Sequence, residues 1–285
     1  MRSMDSELDP NPAVTIFGKE ISMPVLVAPV GGVILNSKVP GDPATVEMDY
    51  NESVSKGAFD AGTLCFTGDG GMEYMFESGI VASKKREETV IPTIKPRSND
   101  QIIEKIKVAE QAHAFAVASD IDASTLINMH IFGQPVGPKS ASDIAELVKS
   151  TSLPFIVKGI MSPEEAVACA DAGAKGIVVS NHGGRILDGM VGTADVLPEI
   201  AKAVKGRLTI FVDGGVRHGE DVLKMLALGA DAVLVGRPVA IAAIGGQAEA
   251  VKLYLDALKR EIMDAMMITG VHDLSNVSPD ILRRL

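Results

Sequence analysis

The chain has 285 residues, 46% of them apolar and 4% aromatic, with 28 glycines and no tryptophan, a composition that suits one large globular α/β domain. Its formal net charge of −10 and the lack of a dense lysine or arginine cluster argue against tracking a phosphate backbone, so no nucleic-acid partner is expected. No run reaches the roughly 18 consecutive apolar residues of a bilayer span, so no membrane partner is expected and the protein reads as cytoplasmic.

Residues 1–22 read as a short N-terminal extension, polar and acidic at its start, in which "VTIFGKEIS" predicts a hairpin. Short runs rich in valine and isoleucine then recur, each followed by glycine or polar residues and a helical pattern, which predicts strands of a parallel sheet. They fall near Val25–Ala28, Thr63–Thr67, Val90–Ile94, Phe115–Ser119, Phe155–Lys158, Gly176–Ser180, Thr209–Asp213 and Ala232–Gly236, eight in all.

Between them Ser98-x-x-Gln101 and Ser162-Pro163-Glu164-Glu165 offer helix N-caps with an acceptor three residues on. "DAGT" (60–63), "DAGAKG" (171–176) and "LGADA" (228–232) place glycine where a helix ends before the next strand. Cys65 and Cys169 have neither metal-ligand spacing nor a disulfide framework and read as core residues. A helical pattern from Gln247 to Thr269 dominates the C-terminal segment 247–285.

A doubly wound open sheet also alternates strands and helices. Eight units in this length favour instead a closed (β/α)8 TIM barrel as a single domain 1–285, its bottom closed by the hairpin. Chemistry in that fold sits where strands run into βα loops. The fourth strand runs on to Asp120-Ile121-Asp122, the fifth ends in Lys158-Gly159 and the sixth in "SNHGGR" (180–185). The seventh ends in Asp213-Gly214-Gly215-Val216-Arg217 and the eighth in Gly236-Arg237-Pro238.

Glycine loops after the last two strands, each with an arginine, suit a phosphate, since backbone N–H groups and guanidinium groups both donate to it. Lys158 closes an apolar strand, where an ammonium needs an anionic partner. His182 beside two glycines and Arg185 reads as a base next to an anion clamp. No metal site is expected.

"PFIVKGIMSPEEAVACADAGAKGIVVSNHGGRILDG" followed by "FVDGGVRHGEDVLKMLALGADAVLVGRP" resembles the FMN-dependent 2-hydroxy acid dehydrogenase and oxidase family, from about Pro154 to Pro238. The resemblance implies FMN as cofactor, a small 2-hydroxy acid as substrate, oxidation to the 2-oxo acid and a homotetramer. It makes His182 the active-site base, Arg185 the grip on the substrate carboxylate, and Asp122 the carboxylate that orients the histidine. Lys158 becomes the cation beside the flavin pyrimidine and Ser180 a flavin-side serine. Asp213, Gly214, Gly215, Arg217, Gly236 and Arg237 become FMN phosphate and ribitol contacts, and Ala28, Pro29 and Val30 in "APVGG" (28–32) the backing of the ring.

The likeness thins elsewhere. The family's glutamine and tyrosine after the third strand fall at Pro92 and Ile94. Its second substrate arginine has no counterpart in 123–143, and its N-terminal helices are absent or shortened. An isomerase of the type 2 isopentenyl diphosphate kind shares the barrel and phosphate loops, but "SNHGGR" argues against it. A non-catalytic FMN-binding barrel is weakened by His182, Arg185 and Asp122.

Overall fold

Val14–Ile16 (β1) and Lys19–Ile21 (β2) pair antiparallel as the expected hairpin in the computed structural model of the chain, which describes residues 9–275 and 277–283. The first eight residues of the extension lie outside the described residues. Ile16 and Ile21 turn inward, and Phe17 at the tip meets Phe211 edge-on, with ring centroids 6.1 Å apart. Phe115, just before a strand, lies 6.1 Å from Phe17 on another side. The hairpin therefore plugs the end of the barrel at which the strands begin.

The eight barrel strands are Val25–Val27 (β3), Cys65–Thr67 (β4), Val90–Ile94 (β5), Val117–Asp120 (β6), Phe155–Ile160 (β7), Gly176–Val179 (β8), Thr209–Val212 (β9) and Ala232–Val235 (β10). All eight expected strands form, shifted by at most two residues at their starts. Each pairs parallel with its sequence neighbour, and β10 returns to β3, closing the barrel.

Alternation along each strand sorts its side chains into two layers. Leu26, Phe66, Ile91, Ala118, Ile156, Val178, Phe211 and Leu234 fill the barrel interior. Val25, Val27, Cys65, Val157, Ile177 and Val212 pack outward against the helices. Each large side chain fully withdrawn from water contributes about 1.5–3 kcal/mol. The interior is a packed core, so the chemistry is confined to the rim where the strands end.

Ser162 caps its helix as expected, accepting from Glu165 N at 3.2 Å. Ser98 does not: its hydroxyl donates to Gln101 Oε1 at 3.1 Å and caps no backbone N–H, because the neighbouring side chain offers a better acceptor. The C-terminal helix begins earlier than expected, at Arg237, and kinks at Gly246–Gln247 before running to Thr269. Both cysteines are buried and unpaired. No helix among the described residues is long and apolar enough to cross a membrane.

Candidate active site

A cleft of about 500 Å³ opens at the strand ends. Of the expected site residues it is lined by Ala28, Pro29, Val30, Lys158, His182, Arg185, Asp213, Gly214, Gly215, Arg217, Gly236 and Arg237. Asp122 and Ser180 stand behind this wall, each holding a member of it. A groove of about 900 Å³ lies on the outer flank between the helices Thr193–Val204 and Gly219–Ala227 and the C-terminal segment. Its Lys205 and Lys224 are committed to Asp231 and Asp221, and no histidine or cysteine lines it, whereas the His182–Asp122 pair stands at the rim.

His182 Nδ1 lies 3.0 and 3.1 Å from the two Asp122 carboxylate oxygens. Nδ1–H donates there, which leaves Nε2 as the free acceptor of the neutral ring. The backbone N–H of His182 donates to Ser180 Oγ at 3.1 Å, and the residue sits at φ 55°, in the left-handed region a side chain rarely adopts. Gly183 and Gly184 continue at φ 65° and 75°, so "HGG" is a left-handed turn that lifts the ring off the end of β8. A Cβ at Gly184 would touch nothing within 4 Å; the glycines answer to backbone sign.

Asp122 fits against β7 only because residue 159 is glycine. A Cβ there would lie 2.4 Å from Asp122 Cγ, and the β7–β8 register shifts between Lys158 and Ile160 at this point. Burial alone pushes the Asp122 carboxyl up, but the His182 hydrogen bond and the Lys158, His182 and Lys95 charges outweigh it and hold the group below its usual value.

Lys158 Nζ donates to Ser180 Oγ at 3.0 Å and lies 3.5 Å from Asp213. Burial alone depresses the ammonium, but Asp213, Asp122 and Asp120 overcome that and raise it above the ordinary lysine value, so it is charged at neutral pH.

The far end of the cleft is built for an anion. Gly214 and Gly215 take φ 108° and 78°. Arg217 and Arg237 form no salt bridge among the described residues. No side chain caps the helix that starts at Arg237, so its first N–H groups and dipole face the same place.

Side chains beyond the expected set also matter. At the end of β5 it is Thr93 and Lys95 that line the cleft; Ile94 is fully buried in the outer layer, so the assignment of the site-facing positions to Pro92 and Ile94 is corrected. Lys95 makes an ion pair with Asp120, the last residue of β6. Behind them Asp69 accepts from Gly70 N at 2.8 Å and Lys95 N at 3.0 Å and pairs with Arg97, fastening the loop after β4 to the end of β5. No arginine occurs in 123–143, and Lys95, from another strand, is a further cation whose charge reaches Asp122.

The backing segment is fixed from outside the barrel. Glu47, on the helix Pro43–Asp60, is fully buried and accepts from Gly32 N at 3.0 Å and Val33 N at 2.9 Å. Burial pushes its carboxyl up against the pull of these two bonds. Glu47→Ala leaves both N–H groups without that acceptor and is expected to cost about 2–4 kcal/mol. Urea unfolding of the apoprotein measures it, and a loss under 1 kcal/mol contradicts the assignment.

A closed parallel barrel with an anion cradle after its last two strands and a His–Asp pair at its mouth defines a phosphate-bearing-cofactor enzyme of the TIM-barrel class. Residues 80–284 match the model of the FMN-dependent dehydrogenase family, and the chain belongs to that family. It is 49% identical over 142 residues to an L-lactate dehydrogenase of Caulobacter vibrioides, a match that covers 50% of this chain and 37% of that protein. It is 32% identical over 294 residues to a 2-hydroxyacid oxidase of Dictyostelium discoideum, covering 95% of this chain and 76% of the relative. A mandelate oxidase solved with benzoyl-formic acid superposes with a TM-score of 0.79 at 30% identity, over 95% of this chain and 81% of that one.

FMN is the family's cofactor, and the cleft fits it. At one end stand two arginines that form no salt bridge among the described residues, beside a helix N-terminus with no side-chain cap among them. At the other, Thr93 Oγ1, Asp120 Oδ1 and Asp213 Oδ1 are buried without a hydrogen-bond partner among the described residues. Unpaired buried polar atoms are costly unless a ligand satisfies them.

Proposed function

We propose that the chain oxidises a small 2-hydroxy acid to the 2-oxo acid, with FMN supplying the two-electron redox chemistry when bound. The observation that carries this reading is the His182–Asp122 pair at 3.0 Å, set in one cleft with Lys158 and Arg185. The substrate class is supported by the names of the relatives, a lactate dehydrogenase and a 2-hydroxyacid oxidase.

His182 Nε2 takes the proton of the substrate hydroxyl. Asp122 fixes the tautomer that leaves Nε2 free and offsets the positive charge the ring then gains. Arg185 grips the substrate carboxylate, and its planar fork sets the α-carbon in place. Lys158 holds a positive charge beside the pyrimidine of the cofactor, while Ser180 ties that lysine and the histidine loop together. Arg217 and Arg237, with the Gly214–Gly215 and Gly236 backbones, hold the phosphate and ribitol, and Ala28, Pro29 and Val30 back the ring. A homotetramer and a cytoplasmic location complete the proposal, tested by light scattering and by fractionation.

Anaerobic addition of a panel of 2-hydroxy acids to the purified yellow protein tests the activity: the acid that bleaches the flavin names the substrate, and no bleaching with any member refutes the reading. Arg217→Ala combined with Arg237→Ala is expected to release FMN on dialysis. Retention of full flavin occupancy removes the two arginines from the phosphate site.

A further inference from the structure

The cleft is unevenly lined. Lys158, His182, Arg185, Asp213, Arg217 and Arg237 all end or follow strands β7 to β10. The half above β3 to β6 presents Asp69, Lys95 and Asp120, and these charges are paired, Asp69 with Arg97 and the other two with each other. The largest uncharged side chains lining that half are all apolar: Leu35, Met75, Leu126, Met129 and Phe132.

These side chains come from the loops after β3, β4 and β6, and glycines bring them into one wall. A Cβ at Gly32 would lie 3.4 Å from both Leu35 Cδ1 and Met75 Cε. Met75 Sδ takes the space a Cβ would need at Gly70, and the Phe132 ring takes it at Gly71. Leu35 and Phe132 remain 51% and 37% exposed, so the wall turns a continuous apolar surface toward the open cleft, the mark of a ligand with an apolar part.

Its position decides which part of a ligand it meets. Leu126 to Phe132 continue the segment whose Asp122 holds His182. The wall therefore stands on the histidine's side of the cleft, away from the two arginines that suit a phosphate.

Building on the reading that His182 and Arg185 hold a 2-hydroxy acid, we propose that this wall receives the substituent on the substrate α-carbon, and that the preferred substrate carries an unbranched apolar chain of about four carbons or more. A methyl group touches one of these side chains and leaves the others in water, whereas a longer chain covers several. The bendable leucine and methionine side chains suit an alkyl chain. A charged group at the end of that chain meets no unpaired opposite charge on this half of the cleft among the described residues, and its desolvation goes uncompensated.

Anaerobic stopped-flow reduction of the FMN-bound protein tests this with lactate, 2-hydroxybutanoate, 2-hydroxyhexanoate, 2-hydroxyoctanoate and the charged-ended 2-hydroxyglutarate. The second-order rate constant for flavin reduction is expected to rise about threefold per methylene, roughly 30-fold from lactate to 2-hydroxyhexanoate. The value for 2-hydroxyglutarate is expected to fall at least about tenfold below that for 2-hydroxyhexanoate.

Phe132→Ala is expected to lower the ratio of 2-hydroxyhexanoate to lactate by about five- to tenfold, without loosening FMN, which separates a substrate contact from a cofactor contact. Leu35→Ala, at an exposed position, is expected to lower the same ratio and serves if the first variant does not fold. Fastest reduction by lactate, a flat series, or a ratio unmoved by these substitutions overturns the proposal and leaves 2-hydroxy acid oxidation standing. If none of the acids bleaches the flavin, the activity itself is refuted and the assignment of the wall falls with it.

Discussion

His182→Ala is expected to remain a folded, FMN-bound protein and to lose about 10²–10⁴-fold in the rate at which a 2-hydroxy acid bleaches its flavin, the range for removal of a general base. Folding survives because the histidine is not a core residue. Its side chain is 16% exposed, and Asp122, which it leaves behind, still feels the Lys158 and Lys95 charges. The same logic makes Asp122→Asn the milder change, since Nε2 is still present and only its orientation and the stabilising charge are weakened. Asp122 carries its negative charge throughout the working range: a carboxyl held below its ordinary value of 3.8 contributes its ion-pair stabilisation fully above that pH and loses it as pH falls through the lowered value. A pH–rate profile recorded above 3.8 therefore contains no step from Asp122. Anaerobic stopped-flow of the two variants checks the order of effects, and an alanine variant as fast as the parent reduces "SNHGGR" to scaffolding.

The elements that were legible in the sequence are those written as contiguous signals. Apolar runs stopped by glycine or polar residues marked all eight strands, and "SNHGGR", "DGGVR" and "VGRP" each put their polar residues directly after a strand, so the fold alone carries them to one rim. The pairs that were missed are assembled across strands. Lys95 meets Asp120, and Asp69 meets Arg97, over gaps of 25 and 28 residues, and no local pattern marks either pair.

Parity at β5 was also hidden. "VIPTI" is buried at every position, so no polar alternation reveals which residues face the barrel mouth, and a one-residue slip exchanges Thr93 and Lys95 for Pro92 and Ile94. Gly159 is a third instance: it reads as an ordinary strand end, yet its missing Cβ is the space that Asp122 occupies.

Lys158→Met is expected to cost about 3–5 kcal/mol of stability and, separately, to slow flavin reduction about 10²–10³-fold, and the two losses have different causes. The stability loss comes from Asp213, whose only close cation is Lys158 at 3.5 Å among the described salt bridges and whose Oδ1 already lacks a hydrogen-bond partner. Because the lysine's value is raised above 10.5, its contribution is complete below that pH and disappears only as pH rises through the raised value, so the loss is the same across the neutral range. The rate loss comes from the cofactor side: a buried ammonium beside the ring matters most as negative charge develops there, which lowers the barrier more than it strengthens binding. Combining Lys158→Met with Asp213→Asn separates the effects. Neutralising the stranded carboxylate should restore much of the unfolding free energy and none of the reduction rate. A double variant that recovers both assigns Lys158 to the ion pair alone, and one that recovers neither makes Asp213 a direct contact of the cofactor as well as a partner of the lysine.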